Sequence, residues 1–190
     1  MIVDEKGLLA AMKRAYKGGG YEIAATEYQD EPYLVIHGPG WTVAMLTAET
    51  PRKVLGLIAE HLGKIPEPED GYAVSKDLGA QAEISSMILD MVERDANTLS
   101  ELEITRENVC ERTRLTWQGY NLWQNVGTLR VLPVDPTLED LVDTQDLPVA
   151  VGGLLSWDGR CSRVSILAEP VEEDNPELVF LSGNQWTAQR

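Results

Sequence analysis

The stretch GGGYEIAATEYQDEPYLVIHGPGWTVAMLT, residues 18–47, decides the fold. After its three glycines the chain alternates with a period of two. Tyr21, Ile23 and Ala25 fall on one side of an extended segment, with Glu22 and Ala24 on the other. Gln29-Asp30-Glu31-Pro32 reads as a turn, Tyr33 to His37 as a second strand, His37-Gly38-Pro39-Gly40 as another turn, and Trp41 to Thr47 as a third strand. Connections this short join antiparallel neighbours, so the stretch is expected to form a β-meander.

On its N-terminal side, Asp4 is suited to cap a helix. Leu8, Leu9, Met12, Ala15 and Tyr16 fall on one face of that helix, and Lys13, Arg14 and Lys17 lie toward its C-terminal end. A phosphate-cradling glycine loop follows a strand and opens a helix. Gly18-Gly19-Gly20 does the reverse, so it reads as a helix stop. On the other side, Thr50 is expected to cap a second helix with Pro51 at its first position. Val54, Leu55, Ile58 and Leu62 would be its buried stripe, and Gly63 its end. Residues 1–63 thus read as an α-β-β-β-α unit, an antiparallel meander flanked by helices, which is the α+β class. Over residues 4–62 this element order is similar to that of small acidic type III secretion chaperones, and the resemblance implies a protein that binds another chain.

Residues 64–71, KIPEPEDG, carry two prolines and three acids in eight positions and read as a linker. Residues 72–190 are expected to hold a further helix and a β-rich acidic part, either separate from 1–63 or in one domain with it. The helix is placed after Asp77, with Ile84, Met87, Ile88, Met91 and Val92 at helical spacing. Leu99 to Thr105 suits a strand. Cys110 to Trp117 alternates in its latter part, while Trp117, Tyr120 and Trp123 are spaced by three, as on a helix. Thr113, Thr116 and Gly119 favour strands. Leu129 to Val134 reads as a strand, Pro136 to Val142 as a short helix, and Val149 to Trp157 with Arg160 to Ala168 as a hairpin. Its Asp158-Gly159 pair suits a type I′ turn. Glu169 to Glu177 reads as a solvated loop and Leu178 to Ser182 as a last strand.

The net charge of −15 is unevenly placed. Residues 1–63 carry 8 acidic and 6 basic side chains, and residues 64–190 carry 23 and 10. An acidic C-terminal two-thirds argues against nucleic acid and anionic membrane as partners and favours a basic protein. No apolar run is long enough to span a bilayer, and Asp4 and Glu5 stand where a secretion signal has bases, so a cytoplasmic protein is expected. Two cysteines, Cys110 and Cys161, make neither a disulfide scaffold nor a zinc site. No cofactor is expected, and a homodimer is the commonest oligomer such a chain would form.

The chain has two histidines. His37 adjoins the Gly-Pro-Gly turn, and His61 falls in a last helical turn, where the helix dipole favours a partly positive ring. No nucleophile elbow, zinc-protease helix or nucleotide loop accompanies them. Asp135, Glu139, Asp140 and Asp143, with Asp146 beyond, form an acidic run that offers hard oxygen ligands at helical spacing. That run supports an alternative, a carboxylate- and metal-dependent hydrolase. Arg112, Arg114, Trp117, Tyr120 and Trp123 cluster arginines with aromatics and are the expected binding residues. The reading taken from all this is a non-enzymatic acidic binding module of adaptor, chaperone or inhibitor type. A structural assembly component is a further alternative.

Overall fold

A computed structural model describes residues 1–28, 30–81, 110–117, 119–125, 130–151 and 153–168. The fold is α+β, and the meander stands at its centre. Strands β1 (Tyr21–Tyr28), β2 (Glu31–Gly38) and β3 (Trp41–Leu46) follow helix α1 (Glu5–Gly18) and pair antiparallel with near-continuous register. Asp4 caps α1 by accepting from the Gly7 amide at 2.6 Å. Gly19 and Gly20, at φ 136° and 115°, end it with backbone angles that side-chain-bearing residues rarely adopt.

Helix α2 (Arg52–Leu62) forms as expected and stops at Gly63, φ 84°. Its start differs from the sequence reading. Thr50 Oγ1 donates to the Leu46 carbonyl at 3.0 Å, so the hydroxyl closes a short 3-10 turn over Thr47–Glu49, and Pro51 takes the cap position. The α2 stripe also shifts by a fraction of a turn. Val54, Leu57 and Ile58 are buried, while Leu55 and Leu62 are only partly so.

The segment 64–70 hydrogen-bonds to β1, with Ala25 N donating to Asp70 O and Glu69 N to Ala25 O. From there Asp77 lies in a hairpin turn: β4 (Gly71–Ser75) pairs with β1, and β5 (Gly79–Gln81) pairs back on β4. The helical stripe expected at Ile84 to Val92, and the elements expected at 99–105, 169–177 and 178–182, lie outside the described residues. The described residues between 110 and 134 form strands, not a helix: β6 (Cys110–Trp117), β7 (Tyr120–Asn125) and β8 (Arg130–Val134) make a three-stranded antiparallel sheet. Gly119 turns the β6–β7 hairpin at φ 87°. Helix α3 (Pro136–Glu139) is shorter than expected, because Leu141 and Val142 close turns onto Leu138 and Glu139.

The run expected as one strand from Val149 is itself a hairpin. It is divided, with Gly153 in the turn, into β9 (Val149–Val151) and β10 (Leu154–Asp158). The next connection is not a type I′ turn. Gly159 is outside the positive-φ region that such a turn requires, and three residues separate β10 from β11 (Ser162–Leu167). Strand β11 pairs with β3, giving one eight-stranded sheet in the order β5-β4-β1-β2-β3-β11-β10-β9.

Alternation gives the sheet two different faces. Ile23, Ile36, Val43, Val164 and Trp157 lie side by side across five strands and are all buried in one core with residues of α1 and α2. Burying each such side chain contributes about 1.5–3 kcal/mol, so this face dominates stability. On the opposite face, Glu22, His37, Thr42, Ser165 and Ser156 form a polar row through the same register. The start of the chain is tied to its second half: Val3 bridges Val142, Asp4 N donates to Leu141 O, and Asp143 N donates to Ile2 O.

Candidate functional site

The aromatic–arginine cluster falls on the β6–β7 hairpin. The register sets Arg112 opposite Trp123 and Trp117 opposite Tyr120, with an irregularity between Thr113 and Thr116 where Arg114 sits. Trp123 turns inward. It is 4% exposed, packs edge-on against Trp157 with ring centroids 5.6 Å apart, and donates Nε1–H to Glu139. Trp123 is therefore part of the contact between the two sheets, and Tyr120, on the same strand, is partly buried.

The acidic run does not converge. Asp135 caps α3, its Oδ1 accepting from the Thr137 amide at 2.8 Å and the Thr137 hydroxyl at 2.7 Å. Glu139 accepts from Asn121 and Trp123. Asp140, Asp143 and Asp146 are exposed. Among the described residues, no three histidine, cysteine or acidic side chains are arranged to hold a metal. Cys161 is a free thiol.

The histidines sit on opposite sides of the sheet. His61 stacks on Tyr16, with centroids 3.8 Å apart and planes at 11°, and its Nδ1 is 3.0 Å from the Tyr21 hydroxyl. Burial pulls the His61 pKa below the ordinary imidazole value. It outweighs the opposing pull of Glu60, and Lys13 adds to the lowering. The dipole argument from the sequence is overridden, since burial favours the neutral ring. Burial, aided by Tyr16, pushes the Tyr21 phenol far above its usual range, in keeping with a donating hydroxyl.

His37 lies in the polar row, with Nδ1 hydrogen-bonded to Thr42 Oγ1 at 2.8 Å. Here the sheet surface sinks into a cleft of about 550 Å³, within the range of sites that take small ligands or a few residues of peptide. Glu22, His37, Thr42 and Ser165 line it together with Leu78 and Leu167. Main chain makes up much of its wall, at Gly19, Gly20, Gly38, Gly40 and Gly79. Two of these glycines are required by packing. A Cβ on Gly38 would overlap the Trp41 indole, and one on Gly20 would come within 2.8 Å of the Val74 carbonyl. Among the described residues, no lysine or arginine lines the cleft.

The sequence carried partial signs of this place. Both glycine turns were legible as turns, but nothing local revealed that they end side by side. The alternation marked Glu22 as facing away from Ile23, yet its neighbours on β2, β3 and β11 follow only from register. Comparison with known protein families, with characterised proteins and with solved structures gives no match.

Proposed function

We propose that this protein is a non-enzymatic binding module that engages a basic protein partner, as an adaptor, chaperone or inhibitor does. The observation that carries the reading is the state of the carboxylates after α3. Asp140, Asp143 and Asp146 are exposed, and none forms an ion pair with a described cation. Glu67 and Glu69 in the segment before β4 are likewise exposed. Carboxylates left in solvent in this way attract cations over a Debye length and favour association with a surface of opposite sign. The cleft supports the same sign preference, since its described lining holds Glu22 and no lysine or arginine.

The hydrolase alternative gains nothing comparable. Two of the acids it would use, Asp135 and Glu139, are engaged with protein donors.

The test is capture from host extract at low salt, identification of the retained protein, and titration of that protein against the purified chain. A basic partner should bind at least tenfold more weakly at physiological salt than at low salt, because screening acts beyond about 8 Å there. A combined Asp140→Asn, Asp143→Asn, Asp146→Asn variant should lose most of that salt dependence. Affinity indifferent to salt and to this variant would overturn the reading.

A further inference from the structure

We infer that the cleft between the β4–β5 hairpin and the β2–β3 turn seats a lysine side chain of the partner protein, with apolar residues on either side of that lysine. The inference rests on the binding reading above and adds where, and by what chemistry, the partner is held.

The first argument is charge. Glu22 sits on the polar face of β1, partly exposed, with no ion-pair partner among the described residues. Its register neighbours are Ala73 on one side and His37 on the other, so no residue paired with it supplies a counter-cation of fixed charge. A carboxylate in a concave site with low-dielectric walls focuses its field outward and selects a cation.

The second argument is shape and polarity. Leu78 is 69% exposed and Leu167 54% exposed, and both line this cleft. They are two of the four large hydrophobic side chains that stand well out of the surface among the described residues. Apolar side chains lining the same cleft as a carboxylate match a lysine, whose methylene stem packs on apolar surface while its ammonium reaches an acceptor. A volume of about 550 Å³ exceeds what one lysine fills, which leaves room for its chain neighbours against the two leucines.

The third argument separates lysine from arginine. The Glu22 carboxylate can accept either cation, so the separation rests on the other polar groups in the row. They are the Thr42 hydroxyl and the His37 ring, bonded to each other, and the buried Ser165 hydroxyl, bonded to Ser156, which offer single acceptors at different points rather than a second fork. Three rotatable donors on an ammonium suit such a spread, whereas a guanidinium is favoured where it can pair bidentately.

The probe is the tripeptide acetyl-Leu-Lys-Leu-amide, with acetyl-Leu-norleucine-Leu-amide as the uncharged control, titrated into the full chain and followed by amide NMR shifts. The lysine peptide should shift Glu22, Gly38, Gly40, Thr42 and Ser165 saturably, and the control should bind there at least tenfold more weakly. Glu22→Gln should weaken the lysine peptide at least fivefold. Ala73→Lys, which places the protein's own ammonium beside Glu22, should abolish its binding with the melting temperature unchanged. Equal binding of both peptides, shifts confined to residues 135–146, no saturable shift, or n-butylamine competing as well as the tripeptide would each overturn the assignment. Should the cleft fail in these ways while partner binding keeps its salt dependence and its loss in the Asp140/Asp143/Asp146 variant, the basic-partner reading stands without the cleft.

Discussion

A Cβ on Gly7 would overlap the carbonyl oxygen of Asp140, so α1 and the turn after α3 meet backbone to backbone. Glycine inside a helix costs about 1 kcal/mol relative to alanine, and here the close approach is what requires it. Gly7→Ala should lose about 3 kcal/mol through overpacking, read as a lower urea midpoint. Gly56 in α2 is the opposite case: it is exposed, and a Cβ there would meet nothing within 4 Å. Gly56→Ala should raise stability by about 0.5–1 kcal/mol in the same experiment. A third residue-scale test concerns Arg163, 8% exposed, whose guanidinium grips Asp158 through Nε at 2.5 Å and Nη2 at 3.2 Å. Asp158→Ala should cost about 2 kcal/mol, because it strips a charge partner from a buried cation. In the sequence Gly7 was only one more small residue in a helical stretch; its contact lies in the second half of the chain and leaves no local mark.

At the scale of elements, the meeting of α1, α2 and β1 around His61 should make stability depend on pH. The folded-state pKa of His61 is depressed, so the neutral ring is the stabilised form. The unfolded chain therefore binds the proton more readily, and stability rises with pH through this range. The contribution is present above the ordinary imidazole value and is lost as pH falls through the lower folded value. The melting temperature should drop on acidification from pH ~7 to ~5, where an unperturbed imidazole titrates, and His61→Gln should flatten that part of the profile. The helices themselves were legible, because Asp4, the Gly18–Gly20 triplet and Gly63 mark their ends and their apolar positions recur at helical spacing. Strands β1 to β3 were legible for the matching reason at period two. The β4–β5 hairpin was missed because Gly71, Ala73 and Ser75 carry little apolar contrast, and β9–β10 because two glycines inside an apolar run were read through.

At the scale of the molecule, what the sequence withheld was pairing between distant segments. Nothing in residues 41–46 announces that β3 will pair with β11, and the polar row that reaches the cleft exists only once it does. The same pairing explains why a split at Gly63 describes the chain's composition while strands from both sides of it share one sheet. The acidic segment also behaves differently in three dimensions than on paper. With Asp135 and Glu139 committed to Thr137, Asn121 and Trp123, millimolar Mg²⁺ should leave the melting temperature unchanged, whereas Glu139→Ala should lower it by about 1–2 kcal/mol of stability. A clear Mg²⁺-dependent rise lost in Asp140→Ala would revive the hydrolase reading.

The seam between β3 and β11 bears on how the chain is made. A polypeptide emerging from the ribosome offers residues 41–46 long before residues 162–167 exist to cover them. During that interval the nascent meander presents a bare strand edge, the kind of template on which neighbouring nascent chains stack. Translation speed and holdase supply over that window should therefore govern how much of the product is recovered unaggregated.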